Sequence, residues 1–342
     1  MRIAINKNDL FNHSTGWENT WINFCKKNNL DFEIIDCYEL DILNRIKEFD
    51  ILLWHFQNYV LQDMQFARSI LLSIEKLGVK TFPNNSTAWH VDDKVAQMFL
   101  LKSVNAPIPK HWFFAEKKKV KIWLKEEAEF PLVAKLTRGA GSHNVKLIPT
   151  LNIGLSYVNK MFGRGVSAAP NILFKATSNF KSAKNWSTIT KRINRIPDFI
   201  SSYTMGKRLP REKDYCSFQE FIPNNGFDLK VYVIGDKISF LSRDVRKNDF
   251  RASGGGTIVY DKTRINDDIL KSAFKISDLL GFQCMGFDYV IDKNTNKGKI
   301  IEMCFGFNHE ALLEMNGYWD RNLVWHNKPL NAPEEVLINL MK

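Results

Sequence analysis

Residues 285–305 read MGFDYVIDKNTNKGKIIEMCF. Two apolar, β-prone runs flank a polar segment rich in turn-forming residues, which predicts a β-hairpin. One acid interrupts each run, Asp288 in the first and Glu302 in the second. Two carboxylates on one sheet face suit a hard cation such as Mg²⁺. The alternative is a pair of acids with arginine partners on a solvated face.

A second pattern lies upstream, where FPLVAKL (130–136) runs into TRGAGSHNV and KLI. It predicts a hairpin with a glycine loop at its tip. Lys135 ends the apolar strand, and a lysine there is costly to bury unless it meets an anion. The N–H groups of residues 137–142 can approach phosphate oxygens closely. The pattern therefore indicates a triphosphate clamp, and a solvent-exposed lysine at a strand end is the alternative.

The third pattern is QEFIPNNGFDLKVYVIG, residues 219–235. It predicts a strand that ends near Ile222, a Pro–Asn–Asn–Gly turn, and a second strand opened by Asp228 and Lys230. Taken alone, this is a hairpin. A connector between two lobes also exposes main-chain groups with which an adenine edge can pair.

The fourth pattern is SRDVRKNDFRASGGGTIVY, residues 242–260, in which Arg243, Arg246 and Arg251 precede three glycines. The arginine fork suits phosphate or carboxylate oxygens. The glycines allow the backbone to close over a ligand. A flexible turn with solvated arginines is the alternative interpretation.

Charge is concentrated in one part of the chain. The 342 residues carry a formal net charge of +11, and residues 151–215 contribute seven Lys and five Arg against two Asp and one Glu. Such a segment attracts an anion, whether nucleotide, acidic sugar, nucleic acid or membrane surface. We expect residues 151–215 to form a wall or lid for an anionic substrate, with Lys191, Arg192 and Arg195 contributing. A solvated basic surface is the alternative.

The cysteine spacing and the distribution of apolar residues exclude several classes of protein. The five cysteines are scattered without a CxxC pair, so neither a zinc site nor a disulfide framework is indicated. The N-terminus lacks the apolar core of a signal peptide, and no apolar run approaches membrane-spanning length. We expect a cytoplasmic protein with no membrane partner.

Strand-like and helix-like stretches alternate over residues 1–88, which predicts a parallel sheet with covered faces. No GxGxxG follows the first strand, so the dinucleotide fingerprint is absent. Residues 216–342 contain several further strands around one strong helix signal.

The four patterns and Lys94 occur in one order, which resembles the ATP-grasp superfamily and is most similar to its glutamate-adding and carboxylate–amine ligase branch. The resemblance implies an α/β (α+β) fold, with an N-terminal parallel α/β domain followed by two α+β lobes that grip ATP. It places the first domain at residues 1–88. The small lobe would be residues 89–215, with the basic insertion 151–215, and the large lobe with the metal site would be residues 216–342.

The resemblance also implies roles for single residues. Lys94 and Lys135 would contact phosphates, the glycine loop would cover them, residues 220–222 would lie beside adenine, and Asp228 would lie near the ribose. The implied ATP-contacting set is Lys94, Lys135, Gly139, Gly141, Ser142, Glu220, Phe221, Ile222, Asp228 and Lys230. Arg243 and Arg251 would be catalytic, stabilising charge on the transferred phosphoryl group. Asp288 and Glu302 would hold Mg²⁺, with Mn²⁺ as an alternative.

Two features of the C-terminal part need comment. The family pattern continues Glu-x-Asn, whereas Glu302 is followed by Met303 and Cys304. A thiol is a poor Mg²⁺ ligand, so Asn308 or a water would have to replace the missing amide.

The tail GYWDRNLVWHNKPLN (317–331) is similar to tails of ATP-grasp proteins associated with bacterial surface polysaccharides. A C-terminal segment that packs its tryptophans on the core is the alternative.

The implied activity is ligation of a carboxylate to an amine through an acyl phosphate. The substrates would be anionic small molecules, with an acidic sugar for polysaccharide synthesis as the specific hypothesis, and a homodimer is allowed. A kinase and a non-catalytic ATP sensor are the alternatives. A nucleic-acid partner is not expected, because the sequence contains no recognised nucleic-acid module.

Overall fold

The computed structural model describes residues 1–7, 16–56, 60, 62–139, 145–167, 210–245 and 257–342. The strands are β1 (Arg2–Asn6), β2 (Asp31–Ile35), β3 (Ile51–Leu53), β4 (Lys80–Phe82), β5 (His111–Phe114), β6 (Leu132–Lys135), β7 (Val145–Ile148), β8 (Cys216–Glu220), β9 (Asn224–Ile234), β10 (Lys237–Asp244), β11 (Ile258–Val259), β12 (Cys284–Asp292), β13 (Gly298–Cys304), β14 (Tyr318–Trp319) and β15 (Trp325–His326). The helices are α1 (Trp17–Lys27), α2 (Ile42–Arg45), α3 (Arg68–Lys76), α4 (Asn85–Ala88), α5 (Lys94–Ser103), α6 (Lys117–Glu126), α7 (Leu151–Met161), α8 (Asp267–Leu280), α9 (Glu310–Leu313) and α10 (Ala332–Met341).

The chain divides into two compact units. The first comprises residues 1–91, 96–108 and 222–342, and the second comprises residues 92–95 and 109–221. Both contain segments that are distant in sequence. The division that the sequence suggests, into residues 1–88, 89–215 and 216–342, stays a prediction.

The first unit contains a parallel sheet in the strand order β2-β1-β3-β4. Its central strand β3 is fully buried, as expected for a strand covered on both faces. Helix α1 packs through Trp17, Trp21 and Cys25. The indole N–H of Trp17 donates to the carbonyl oxygen of Phe307, and that of Trp21 to the carbonyl oxygen of Pro333. The parallel α/β arrangement predicted for the N-terminal part is confirmed.

A second sheet of the first unit is antiparallel throughout, in the order β13-β12-β9-β10-β14-β15, with β11 also pairing with β10. The predicted hairpin of residues 285–305 is confirmed as β12 and β13. Helix α8 covers this sheet with a buried face that includes Ile269, Ala273 and Phe274. In the C-terminal tail, Trp319 packs against both Phe240 and Trp325.

The second unit is built on an antiparallel sheet in the order β5-β8-β6-β7. Helices α6 and α7 bury Trp123, Leu124, Tyr157 and Met161 in a core shared with Phe218 of β8. The hairpin predicted around the glycine loop is confirmed, because β6 and β7 pair from Leu132–Ile148 to Lys135–Val145.

The predicted hairpin over residues 219–235 is wrong. Strand β8 pairs with β5 and β6, whereas β9 pairs with β10 and β12 in a different sheet. Pro223 lies between them without an N–H to donate, so it cannot extend β8 as a ladder residue. Its carbonyl oxygen instead accepts from the N–H of Lys293. Because β9 already begins at Asn224, Asp228 and Lys230 lie within the strand rather than at its start.

Within the described part of the chain, no helix is both long and apolar enough to cross a bilayer.

The core of the antiparallel sheet gives a stability prediction. Phe240 on β10 is fully buried, whereas Phe66 is 51% exposed. We expect Phe240→Ala to lower the free energy of unfolding of the first unit by about 3–5 kcal/mol, because it leaves a cavity in a packed core. Phe66→Ala, the same chemical change at an exposed site, should cost less than about 0.5 kcal/mol. Urea unfolding followed by tryptophan fluorescence measures both, and equal losses would contradict this assignment of the core.

Candidate active site

The candidate site is a row of charged side chains on one face of the antiparallel sheet. Asp288 on β12 lies directly opposite Glu302 on β13 and opposite Lys230 on β9. Cross-strand partners project to the same face, so the three side chains are neighbours. Asp288 is buried, and Glu302 is half-buried. The two acids that the sequence singled out are therefore brought together.

Two cations surround Asp288. The Nζ of Lys230 lies 3.1 Å from Oδ1 of Asp288, and Nη2 of Arg243 lies 3.1 Å from Oδ2. Arg243 also faces Asp228 across β9 and β10, and donates from Nε and Nη2 to its two oxygens over 2.8 and 2.7 Å. This bidentate pairing holds the guanidinium plane in a fixed position. Asp228, itself 1% exposed, thus serves as the support of Arg243.

The electrostatics of the row follow from burial and pairing. Burial alone would raise the pKa of Asp288, but Lys230 and Arg243 outweigh it, so the pKa of Asp288 is lowered and the carboxylate stays ionised. Burial raises the pKa of Asp228 to about 6, although hydrogen bonds from Arg243 oppose this rise. Burial works against the charge of Lys230, yet Asp288 raises the pKa of that ammonium above its ordinary value. The row keeps its cations charged at neutral pH.

The carboxylate pair fits a hard divalent cation, because adjacent positions on one sheet face supply oxygen donors. A bound cation would share Asp288 with Lys230 and Arg243. No group of three or more His, Cys, Asp and Glu side chains among the described residues is arranged to hold a metal ion. Mg²⁺ commonly completes its coordination with phosphate oxygens and waters.

Cys304 stands where the family pattern has Asn, and Asn308 is the side chain expected to replace that amide. The thiol of Cys304 donates to the carbonyl oxygen of Gly306 over 3.5 Å. The side-chain oxygen of Asn308 accepts from the N–H of Glu310, the first residue of α9, over 3.0 Å. Asn308 is therefore engaged in local structure.

The second unit holds the base of the glycine loop. Lys94 begins α5, and its ammonium donates to the carbonyl oxygen of Gly139, which brings together two residues predicted to contact phosphate. Lys135, at the end of β6, is buried. The N–H of Gly139 donates to Asp92 over 2.9 Å. Those of Thr137 and Arg138 donate to Glu212, each over 2.9 Å.

These hydrogen bonds correct one expectation. The sequence suggested that the N–H groups of residues 137–142 can approach phosphate oxygens, but those of residues 137–139 donate to protein carboxylates. The reason is that Asp92 and Glu212 satisfy the turn from within the fold. The rest of the loop, including Gly141 and Ser142, lies outside the described residues, as do Arg246, Arg251, Lys191, Arg192 and Arg195.

The predicted adenine-binding segment lies at a boundary. Glu220 ends β8, where its carboxylate accepts from the N–H of Lys110 over 3.0 Å. The boundary between the two compact units falls between Phe221 and Ile222. The chain therefore passes from the second unit to the first at this point, and the role of residues 220–222 beside adenine stays a prediction.

Several known proteins are similar to the chain in sequence or in fold, although no family profile matches it. The α-aminoadipate–LysW ligase LysX of Saccharolobus solfataricus is 21% identical over 241 residues, covering 69% of this chain and 70% of that protein. The RimK domain ATP-grasp protein of Sphaerobacter thermophilus aligns over 100% of both chains, with a TM-score of 0.54 and 12% identity.

Further solved structures agree. The D-alanine–D-alanine ligase of Bacillus anthracis, bound to ATP, aligns over 90% of this chain and 87% of its own, with a TM-score of 0.53 and 12% identity. The ATP-grasp ligase PsnB, bound to a minimal precursor, Mg and ADP, aligns over 100% of this chain and 97% of its own, with a TM-score of 0.56 and 13% identity.

The chain has the ATP-grasp fold. The resemblance inferred from the order of the four patterns is confirmed, and so is the predicted fold class.

The sequence did not single out three residues that shape the base of the glycine loop. Asp92, Glu212 and Tyr215 contact the base of the glycine loop. Glu212 and Tyr215 belong to the charged run REKDY, which looks like a solvated turn. A periodic pattern carries no sign of such contacts.

The Arg243–Asp228 pair gives a test of the charged row. We expect Arg243→Ala to lower the free energy of unfolding by about 3–5 kcal/mol, because it leaves the buried carboxylate of Asp228 without its partner. The double variant Asp228→Asn/Arg243→Met removes both charges and should recover most of that loss. Urea unfolding at neutral pH measures each variant. Equal stability of the wild type and Arg243→Ala would show that the pairing does not hold.

The cysteines give a second test. Burial raises the pKa of Cys25 to about 11 and that of Cys216 to about 12, and it raises the pKa of Cys37 and Cys284 as well. Cys304 is half-buried, whereas the other four are buried. Because only an accessible thiolate reacts, iodoacetamide at pH 8 should label Cys304 first in the native protein. Peptide mass spectrometry checks this against a denatured sample, and faster labelling of another cysteine would overturn it.

Proposed function

We propose that this ATP-grasp protein is an ADP-forming ligase that joins a carboxylate to an amine, using MgATP. The observation that carries the proposal is the pair Asp288 and Glu302, opposite each other beside Lys230 and Arg243. Two carboxylates with adjacent fixed cations are the charge pattern needed around a transferred phosphoryl group. The relative LysX and the structural neighbours PsnB and D-alanine–D-alanine ligase are named as ligases, which supports the same activity.

The proposed reaction has two steps. An oxygen of the substrate carboxylate attacks the γ-phosphorus of ATP, the bond to the β-phosphate oxygen breaks, and ADP leaves with that oxygen. The amine then attacks the carbonyl carbon of the acyl phosphate, inorganic phosphate leaves, and the amine loses a proton to form the amide.

The protein's own groups supply position and charge in this scheme. Asp288 and Glu302 would hold Mg²⁺, which when bound neutralises phosphate charge and orients the triphosphate. Lys230 and Arg243 flank Asp288 on the same sheet face, and Asp228 fixes the direction of the Arg243 guanidinium. Lys94 and Lys135 would contact phosphates at the base of the glycine loop. This arrangement needs no nucleophilic side chain, since the substrate carboxylate is itself the nucleophile.

The substrate class is also proposed. The names of LysX, of the D-alanine ligase, and of PsnB with its precursor peptide refer to amino acids or peptides. An amino-acid or peptide carboxylate is therefore the first class to test. The acidic sugar suggested by the C-terminal tail and by the positive charge of residues 151–215 is the second. Both are anionic, as the net charge of +11 favours.

The central experiment measures ADP release with Mg²⁺ and a panel of amino-acid, peptide and uronic-acid carboxylates, each with and without amines. Wild type should release ADP only when both are present. Glu302→Ala should lower the rate by more than about 100-fold, because changes in the outer shell of metal sites already cost 10–100-fold. Lys297→Ala, an exposed change in the turn between β12 and β13, is the matched control and should keep full activity.

The outcomes separate the rival functions. Turnover without an amine that yields a stable phosphorylated product would identify a kinase. ATP binding without turnover on any substrate pair would favour the sensor. Absence of ATP binding by the wild type would overturn the proposal.

A further inference from the structure

The carboxylate of Glu212 occupies an unusual place for a charged group. Its Oε2 and Oε1 accept the N–H groups of the consecutive residues Thr137 and Arg138, each over 2.9 Å. Glu212 is only 9% exposed, although it lies in a highly charged stretch of sequence. One carboxylate thus holds two adjacent peptide units where β6 passes into the glycine loop.

Neighbouring groups hold both the carboxylate and the main chain of Glu212 in place. The hydroxyl of Tyr215 donates to Oε2 and also accepts from the N–H of Thr137. The main chain of Glu212 pairs with Val166 in both directions, over 2.8 and 2.9 Å. Gly165, next to this pair, has a φ of +69°. A Cβ atom at Gly165 would come within 2.7 Å of the carbonyl oxygen of Glu212. Glu212 is therefore a rigid support.

Asp92 and Lys94 complete the arrangement. Asp92 accepts the N–H of Gly139, and Lys94 donates to its carbonyl oxygen. The main-chain N–H of Lys94 in turn donates to the carbonyl oxygen of Thr137 over 3.0 Å. Residues 137–139 are thus held by side chains on both sides, and Lys94 is held through them.

The charge of Glu212 argues for a specific role. A carboxylate near a loop that meets a triphosphate repels that ligand, so a neutral side chain would be better for affinity alone. A carboxylate is nevertheless the one side chain that can accept two adjacent peptide N–H groups with both oxygens. Its geometric benefit must outweigh its electrostatic cost.

We propose that Glu212 is the positioning residue of the ATP-phosphate loop, which sets the orientation of residues 137–139 and, through Gly139 and Thr137, the place of Lys94. The inference rests on the proposed use of ATP. Glu212 acts through the loop and through Lys94, and it does not itself touch the nucleotide.

The test compares Glu212→Gln with Glu116→Gln. Glutamine has nearly the same size as glutamate, but it presents an NH₂ group to one of the two N–H donors. Glu116 is an exposed glutamate of the same compact unit, paired with Lys119 on the surface. Tyr215→Phe, which removes the hydroxyl that supports Glu212, is a second and milder variant.

The expected result has two parts. Amide hydrogen exchange of the peptide that covers residues 136–139 should be at least about tenfold faster in Glu212→Gln, with the rest of the second unit unchanged. The KM for ATP should rise at least about tenfold while the KM for the carboxylate substrate stays within about twofold. Tyr215→Phe should move both readouts in the same direction but less far, and Glu116→Gln should move neither.

Other results would overturn the proposal in distinguishable ways. Unchanged exchange and unchanged KM for ATP in Glu212→Gln would refute the positioning role while ligation by the wild type stands. Faster exchange across the whole second unit would show a merely structural residue. If the wild type bound no ATP, the proposed function and this role would fall together, even with faster exchange of residues 136–139.

Discussion

Mutual neutralisation of four charges on one sheet face is the constraint on which the candidate site depends. Asp228, Lys230, Arg243 and Asp288 project from three adjacent strands, and each is at least mostly buried. Removing any one leaves another charge in a low-dielectric setting without its partner, which is costly. The register of β9, β10 and β12 is therefore tied to the electrostatics, since a slip of one residue would turn these side chains to the opposite face.

The second unit solves a related problem with main-chain groups. A turn that leaves a buried strand exposes N–H groups that need acceptors. Here Asp92 and Glu212 supply them for residues 137–139. The two units thus satisfy their buried polar groups in different ways. In the first unit, cations pair with buried acids; in the second, acids accept hydrogen bonds from main-chain N–H groups. Both leave lysines near the positions where anionic ligands are proposed to bind.

The extent to which the sequence could predict these features varies with the distance over which they act. The β12–β13 hairpin was predictable because its strands and turn are contiguous, and its acids stand out against Ile, Phe and Met. The break between β8 and β9 was not, because a Pro–Asn–Asn–Gly segment looks the same whether the chain turns back or leaves for another sheet. Glu212 acts on residues 74 and 75 positions away. No local pattern marks such a contact, and an acid in REKDY resembles a solvated one.

The packing of α1 has a consequence for synthesis of the chain. Trp17 and Trp21 bond to the carbonyl oxygens of residues 290 and 312 positions further along. At a translation rate of 5–20 residues per second, those partners emerge roughly 15–60 s after the helix itself. During that interval the indole rings of Trp17 and Trp21 lack the C-terminal residues that accept their hydrogen bonds. The apolar surface around Trp17 and Trp21 is therefore exposed to the ribosome exit and to chaperones until α10 has been synthesised.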